Sequence, residues 1–160
     1  MLVIVNAAAQ AYRGVIPADR WHEPYMPAAE LRSEIEAGVD FIVCEVDAEV
    51  AGVMGIQPVR NVDLIRHAYV LPALQGHGIG GAMMRRLRDR TRRPLLVGTW
   101  AAATWAVRFY EREGFRVVGE DTKSLLLRTY WTIPERQVET SVVLAAPPLT
   151  HEEAAKLAAS

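Results

Sequence analysis

The sequence predicts an α/β chain, α+β in its element order, built on a mixed sheet that is mostly antiparallel. Three observations carry this reading. Residues 41–46, 50–59 and 62–71 are three successive apolar, strand-like runs. Only Asp47-Ala48-Glu49 and Arg60-Asn61 separate them, so they pair as consecutive antiparallel strands. The third run stops at Pro72. After it come a glycine-bearing turn and then Ile79, Ala82, Met83 and Leu87 at helical spacing, which starts a helix at about Gly78. Beyond that helix, residues 94–99 hold another short apolar strand around Leu95-Leu96-Val97. Two strands flanking a helix in this way form a right-handed parallel crossover.

The remaining elements follow in order. Residues 1–13 are ambiguous, because the first five favour a strand and the alanine run that follows favours helix. Residues 14–25 form a loop with Pro17 and Pro24, around which stand Tyr12, Arg13, Trp21, His22 and Tyr25. Aromatic and polar groups this dense either line a binding wall or staple the loop to the core. Residues 27–37 read as a helix, with Pro27 in its first turn and Gly38 at its stop. Residues 105–113 form a further helix that carries Ala106, Phe109, Tyr110 and Glu113 on one stripe and ends at Gly114. Residues 115–120 and 141–146 read as strands. The long segment between them, 121–140, holds Leu125, Leu126, Leu127, Tyr130, Trp131 and Ile133. A connection of this length has its own structure or a function, and its apolar surface packs on the core, a ligand or a partner chain. Pro147-Pro148 breaks the last strand, and Thr150-His151-Glu152-Glu153 has the form of a capping box that opens a C-terminal helix. There are no repeats, and one domain over 1–160 is expected.

Composition narrows the class. With 160 residues and 51% apolar content, the chain can bury a full core. A formal net charge of −1 gives no overall field to recruit nucleic acid or an anionic membrane, and neither is expected as a partner. Arg85, Arg86, Arg88, Arg90, Arg92 and Arg93 cluster in and after the helix that follows the glycines. They read as a solvated face or as neighbours of a ligand's outer phosphates. Cys44, the lone cysteine, lies in an apolar run and reads as a buried small hydrophobe. No apolar run approaches membrane-spanning length, and the N-terminus has no basic lead or cleavage site, so a soluble, cytoplasmic protein is expected. No metal is expected.

Strand, glycine-bearing turn and helix start together expose several backbone N–H groups at a positive helix end. This is an anion site that a phosphate can approach closely. The spacing matches neither a nucleoside-triphosphate loop, Gly-x-x-x-x-Gly-Lys-Ser/Thr, nor a dinucleotide loop, Gly-x-Gly-x-x-Gly. It reads Gln75-x-x-Gly78-x-Gly80. It resembles the pyrophosphate loop of the GNAT superfamily of N-acetyltransferases, Arg/Gln-x-x-Gly-x-Gly/Ala, which binds acetyl-coenzyme A. A second segment, Ala106-Val107-Arg108-Phe109-Tyr110-Glu111-Arg112-Glu113-Gly114-Phe115, is similar to the family's Ala-x-x-Phe-Tyr-Glu-x-x-Gly-Phe helix and the strand after it. The two motifs stand in the family's order and separation.

The resemblance implies a GNAT-like central sheet, splayed at the coenzyme site and with helices on both faces. Residues 1–13 then correspond to the family's first helix. The usual first strand is missing, which reads as a truncated or late start. Acetyl-CoA is the implied co-substrate. Gln75, Gly76, His77, Gly78, Ile79, Gly80 and Gly81 would hold its pyrophosphate, His77 through its backbone, and Ala106 would contribute from the second motif. Val70 and Leu71 would pair with the pantetheine arm and offer an N–H to the thioester oxygen, a contact typically worth about 3 kcal/mol in the transition state. Tyr110 would protonate the departing thiolate, since a phenol is protonated at neutral pH. The other reading of Tyr110 is a core tyrosine beside Phe109. Ala103 departs from the family, many of whose members carry Asn there.

The base is the open position. Arg66 and His67 are adjacent, so strand alternation lets only one face the cleft unless a bulge intervenes. An imidazole titrates in a suitable range, which favours His67, whereas relatives with a base on this strand place it on the face of Leu64 and Arg66. Glu45 and His22 are outside candidates. Tyr12, Trp21, His22, Tyr25, Arg66 and Trp131 are candidate acceptor contacts. The implied activity is acetyl transfer to a primary amine of a small molecule or peptide, and the alternative is a non-catalytic acyl-CoA-binding or sensing module. The resemblance further implies a homodimer, with residues 121–140 at the acceptor wall and the subunit contact.

Overall fold

The computed structural model describes residues Met1–Ser160. Its strands are β1 (Asp40–Val46), β2 (Glu49–Val59), β3 (Val62–Val70), β4 (Leu95–Trp100), β5 (Arg116–Val117) and β6 (Ser141–Ala146), which form one sheet in the order β1-β2-β3-β4-β6-β5. The sheet is mixed and mostly antiparallel. β1 with β2, β4 with β6 and β5 with β6 are antiparallel, whereas β3 meets β4 in parallel through Asp63 opposite Leu95 and Leu64 opposite Leu96. Seven helices accompany it: α1 (Leu2–Ala9), α2 (Ala28–Glu36), α3 (Ile79–Arg88), α4 (Thr104–Arg112), α5 (Glu120–Tyr130), α6 (Glu135–Thr140) and α7 (His151–Ala159). The chain divides into two compact units, residues 1–58 with 65–92, and residues 59–64 with 93–160.

In the first unit the ambiguous N-terminus resolves as helix. Ile4, Val5, Ala8 and Ala9 are the buried positions of α1, a stripe at helical spacing. Ile4 and Val5 pack with Met26, Leu31 and Val53, so burial outweighs the modest helix cost of the β-branched residues. The Asn6 side chain donates to the Met26 carbonyl (3.0 Å) and accepts from the Met26 N–H (2.7 Å), tying the end of the aromatic loop to α1. β1 and β2 form a hairpin whose two turn residues, Asp47 and Ala48, both have positive φ (52° and 65°). Paired left-handed residues match the twist of the flanking strands, which makes the turn shorter than the expected three residues. Cys44 is half-buried, not buried as expected, because β1 is an outer strand with one neighbour.

The second unit corrects the sequence expectation over 115–140. The strand expected at 115–120 shrinks to β5, and Gly119 caps α5 with acidic Glu120 and Asp121 in its first turn, where they complement the helix dipole. Leu126, Leu127 and Tyr130 of α5 and Val138 of α6 enter a core with Leu64, Leu96, Val143 and Ala154, and half-buried Trp131 and Ile133 pack against it. The apolar surface of 121–140 is therefore used largely within its own unit. A Cβ built on Gly98 would stand 3.5 Å from the Trp131 ring, so that bare strand position receives the indole. Trp131→Ala is expected to cost about 2 kcal/mol, half the range for a fully buried tryptophan, and to lower Tm by about 4–8 °C in a thermal melt. An unchanged Tm with a raised KM for the amine would instead place Trp131 on an acceptor wall.

The C-terminal helix opens with the expected capping box. The Thr150 hydroxyl accepts from the Glu153 N–H (3.2 Å), and the Glu153 carboxylate accepts from the Thr150 N–H (2.8 Å). Its other end is held from far away in sequence. Asn61 donates to the Leu157 carbonyl (2.7 Å) and Arg60 to that of Ala158 (3.1 Å). The Tyr130 hydroxyl shares its proton between Asn61 Oδ1 (2.8 Å) and the Leu157 carbonyl (2.9 Å). Burial pushes this phenol above its ordinary pKa, which keeps the donor protonated.

Candidate active site

In the first unit, β3 delivers the chain through a 3-10 turn at Pro72–Leu74 into the N-terminus of α3. Gly76 and Gly78 both have φ of +81°, and Gly78 is the N-cap of α3. A Cβ at either would meet nothing within 4 Å, so the requirement for glycine is the left-handed backbone itself. The first bond of α3 runs from the Ala82 N–H to the Gly78 carbonyl (3.0 Å), which leaves the N–H groups of Gly78, Ile79, Gly80 and Gly81 without partners inside the helix. Gln75 and His77 are exposed, and their side chains turn back onto the loop. Gln75 Nε2 donates to the Val70 carbonyl (3.2 Å), and His77 Nδ1 lies 3.0 Å from the Gln75 carbonyl. The His77 ring is thus folded onto the carbonyls of its own loop. Arg85 and Arg86 occupy the last turn of α3, where cations complement the negative helix end, and Arg90 pairs with Asp40 (3.2 Å).

The strand carrying Arg66 and His67 departs from regular alternation. His67 has φ +51°, a left-handed residue within β3. As a result the two neighbours reach one group: Arg66 lies 2.7 Å and His67 Nε2 3.2 Å from the same carboxylate oxygen, Oε2 of Glu34 on α2. Arg66 donates in hydrogen-bond geometry, also to Gln57 Oε1 (2.5 Å), whereas His67 stands at ion-pair distance without hydrogen-bond alignment. The His67 ring stacks on Phe41 (5.8 Å). The adjacent His67 ring and the Arg66 guanidinium hold the Glu34 carboxyl below the ordinary carboxylate range, against the opposing effect of its partial burial. Gly55 makes room for this irregular backbone: a Cβ there would lie 3.1 Å from the Arg66 carbonyl and 2.7 Å from Val39. Sequence reasoning missed Glu34, which reads as one of several charges along α2.

The aromatic loop is brought together. Tyr25 stacks with Tyr12 (6.0 Å), Trp21 (5.6 Å) and His22 (6.1 Å), and His22 Nδ1 lies 2.8 Å from the Pro24 carbonyl. Glu45, an outside candidate for the base, is exposed on β1 beside its bulge.

In the second unit, α4 carries Ala106 and Tyr110. Tyr110 is the buried residue of this helix and meets Phe109 (5.1 Å) and Phe115 (5.8 Å) edge-on. Ala103 is the fully buried N-cap, so α4 starts without a capping side chain.

A family model described as an acetyltransferase (GNAT) domain matches residues 6–128, a span that includes both glycine motifs. The chain belongs to the GNAT acetyltransferase family. It is an N-acetyltransferase, and its mixed sheet and accompanying helices are the GNAT fold. Solved structures share that fold at low identity. The PaiA N-acetyltransferase of Thermoplasma acidophilum, solved with coenzyme A, superposes with a TM-score of 0.59 at 11% identity, over 90% of this chain and 88% of its own. A GNAT family acetyltransferase of Elizabethkingia anophelis with acetyl-CoA bound gives 0.56 at 20% identity, over 81% and 93%. The ribosomal-protein-alanine N-acetyltransferase of Brucella melitensis gives 0.54 at 21%, over 74% and 78%. No curated protein matches the sequence closely enough to name a relative. No helix of this GNAT chain is long and apolar enough to cross a membrane, and no group of three or more His, Cys, Asp or Glu side chains could hold a metal ion.

Proposed function

We propose that this GNAT chain, acting over 1–160, transfers the acetyl group of acetyl-CoA to a primary amine of a small molecule or peptide. The observation that carries the coenzyme part is the set of partnerless N–H groups from Gly78 to Gly81 at the head of α3, reached through a left-handed glycine. Such a cradle fits a pyrophosphate, and two of the structural relatives were solved with coenzyme A or acetyl-CoA. Val70 and Leu71 precede the loop, but the Leu71 N–H is already donated to the Ala51 carbonyl (2.8 Å), so the main-chain contact to the pantetheine arm and thioester oxygen would fall to Val70.

In this reading the acceptor's ammonium gives one proton to His67, and the freed lone pair attacks the thioester carbonyl carbon. On collapse the C–S bond breaks, the sulfur takes a proton from Tyr110, and the amide nitrogen returns its second proton to the tyrosinate. The sum is one amide, one free thiol and one released proton. Tyr12, Trp21, His22 and Tyr25, together with Arg66 and Trp131, are the proposed acceptor contacts, and a homodimer is the proposed assembly.

Release of free thiol from acetyl-CoA, measured against a panel of amino acids, polyamines and peptide N-termini, is the test. Turnover with at least one amine is the expected result. Binding of acetyl-CoA without turnover on any amine would leave a coenzyme-binding module.

A further inference from the structure

The Arg66–Glu34–His67 cluster lies on three elements of the first unit and has no place in the two sequence motifs. β3 bends at left-handed His67, α2 supplies Glu34, and β2 supplies Gln57 behind Arg66. The Glu34 and His67 side chains are 21% and 14% exposed, so the pair is screened less than a surface ion pair. Arg66 fixes the carboxylate with a 2.7 Å hydrogen bond, and Phe41 covers a face of the imidazole. A carboxylate held in place 3.2 Å from a ring nitrogen, yet unaligned for a neutral hydrogen bond, gains most when that ring becomes positive.

We infer that Glu34 is a positioning residue for proton uptake: held by Arg66, it orients the His67 ring and stabilises the imidazolium formed when the acceptor amine gives up its proton. This rests on the proposed acetyl transfer with His67 as proton acceptor. The charged groups facing His67 are Glu34 from α2 and Arg66 from its own strand; β1 offers the neutral Phe41. The direction of the effect follows. Glu34 favours protonated His67 and Arg66 opposes it. Removing the Glu34 charge leaves Arg66 unopposed beside the imidazolium, so proton uptake from the acceptor amine becomes harder.

The test uses Glu34→Gln, which keeps size and removes charge, Glu34→Asp, which keeps charge, and His67→Gln. The pH profile of kcat/KM is measured for each variant, with the KM for acetyl-CoA followed in parallel. In Glu34→Gln the acidic limb of the kcat/KM profile should move to lower pH, and kcat at the plateau should fall about 10-fold with the KM for acetyl-CoA unchanged. Glu34→Asp should hold the acidic limb and the plateau kcat close to those of the parent. An acidic limb that does not move in Glu34→Gln overturns the inference, and so does a plateau kcat equal to that of the parent. If His67→Gln retains full kcat/KM, the base assignment beneath it is what fails.

Discussion

Gly80→Glu is expected to raise the Kd for acetyl-CoA at least about 100-fold, or roughly 2.7 kcal/mol, while leaving the fold intact. The two halves of this result have opposite electrostatic origins. A carboxylate in the first turn of α3 faces the positive end of the helix dipole, which is locally favourable by about 0.3–1 kcal/mol, and losing a helical glycine adds a similar gain. The same carboxylate stands where two phosphate charges should lie and takes the N–H groups they need. Gly80 is a better choice than Gly78, because Gly78 has φ +81° and any side chain there carries a backbone cost. Calorimetric titration of Gly80→Glu, with Gly80→Ala as the control for bulk alone, reads the effect. Parent-like affinity in the glutamate variant removes this turn from the coenzyme site.

The second large effect is expected at Tyr110. Tyr110→Phe keeps the ring in its edge-on contacts with Phe109 and Phe115 and deletes only the hydroxyl. If that hydroxyl protonates the leaving thiolate, kcat should fall about 100-fold or more, with the Kd for acetyl-CoA within about 2-fold of the parent. Single-turnover measurement of thiol release separates this from slow product release. Equal rates in both proteins would make Tyr110 a core residue, a role its burial already supports.

The motifs and the strands were readable because each depends on local chemistry. Glycines at fixed offsets, a strand stopped by Pro72, and the Thr150–Glu153 pair specify their own turns and caps. The region after Phe115 was harder. Its apolar start looks like a strand, and only Gly119 followed by Glu120 and Asp121 marks the change to helix, after which Leu126, Leu127 and Tyr130 fall on the buried stripe. The Arg66–Glu34–His67 cluster was not readable at all. It exists because a histidine adopts a left-handed backbone, next to an Arg66 carbonyl for which Gly55 leaves room, and no residue type announces that conformation. On a chain with regular alternation, Arg66 and His67 would point apart and Glu34 would remain one more charge on a helix.

The hold that Arg60 and Asn61 keep on the last turn of α7 has a kinetic side. The paired groups are 98 and 96 residues apart in the chain, and they belong to a unit that is itself discontinuous in sequence. During synthesis the turn between β2 and β3 emerges early and must wait for residues 157 and 158 before its side chains find those carbonyls. Contacts of such long range add loop-closure entropy ahead of any reward and slow folding. The C-terminal helix is therefore a late-docking element. Until it docks, the apolar positions it covers, Leu126 and Tyr130 among them, form the stretch of nascent chain most in need of shielding.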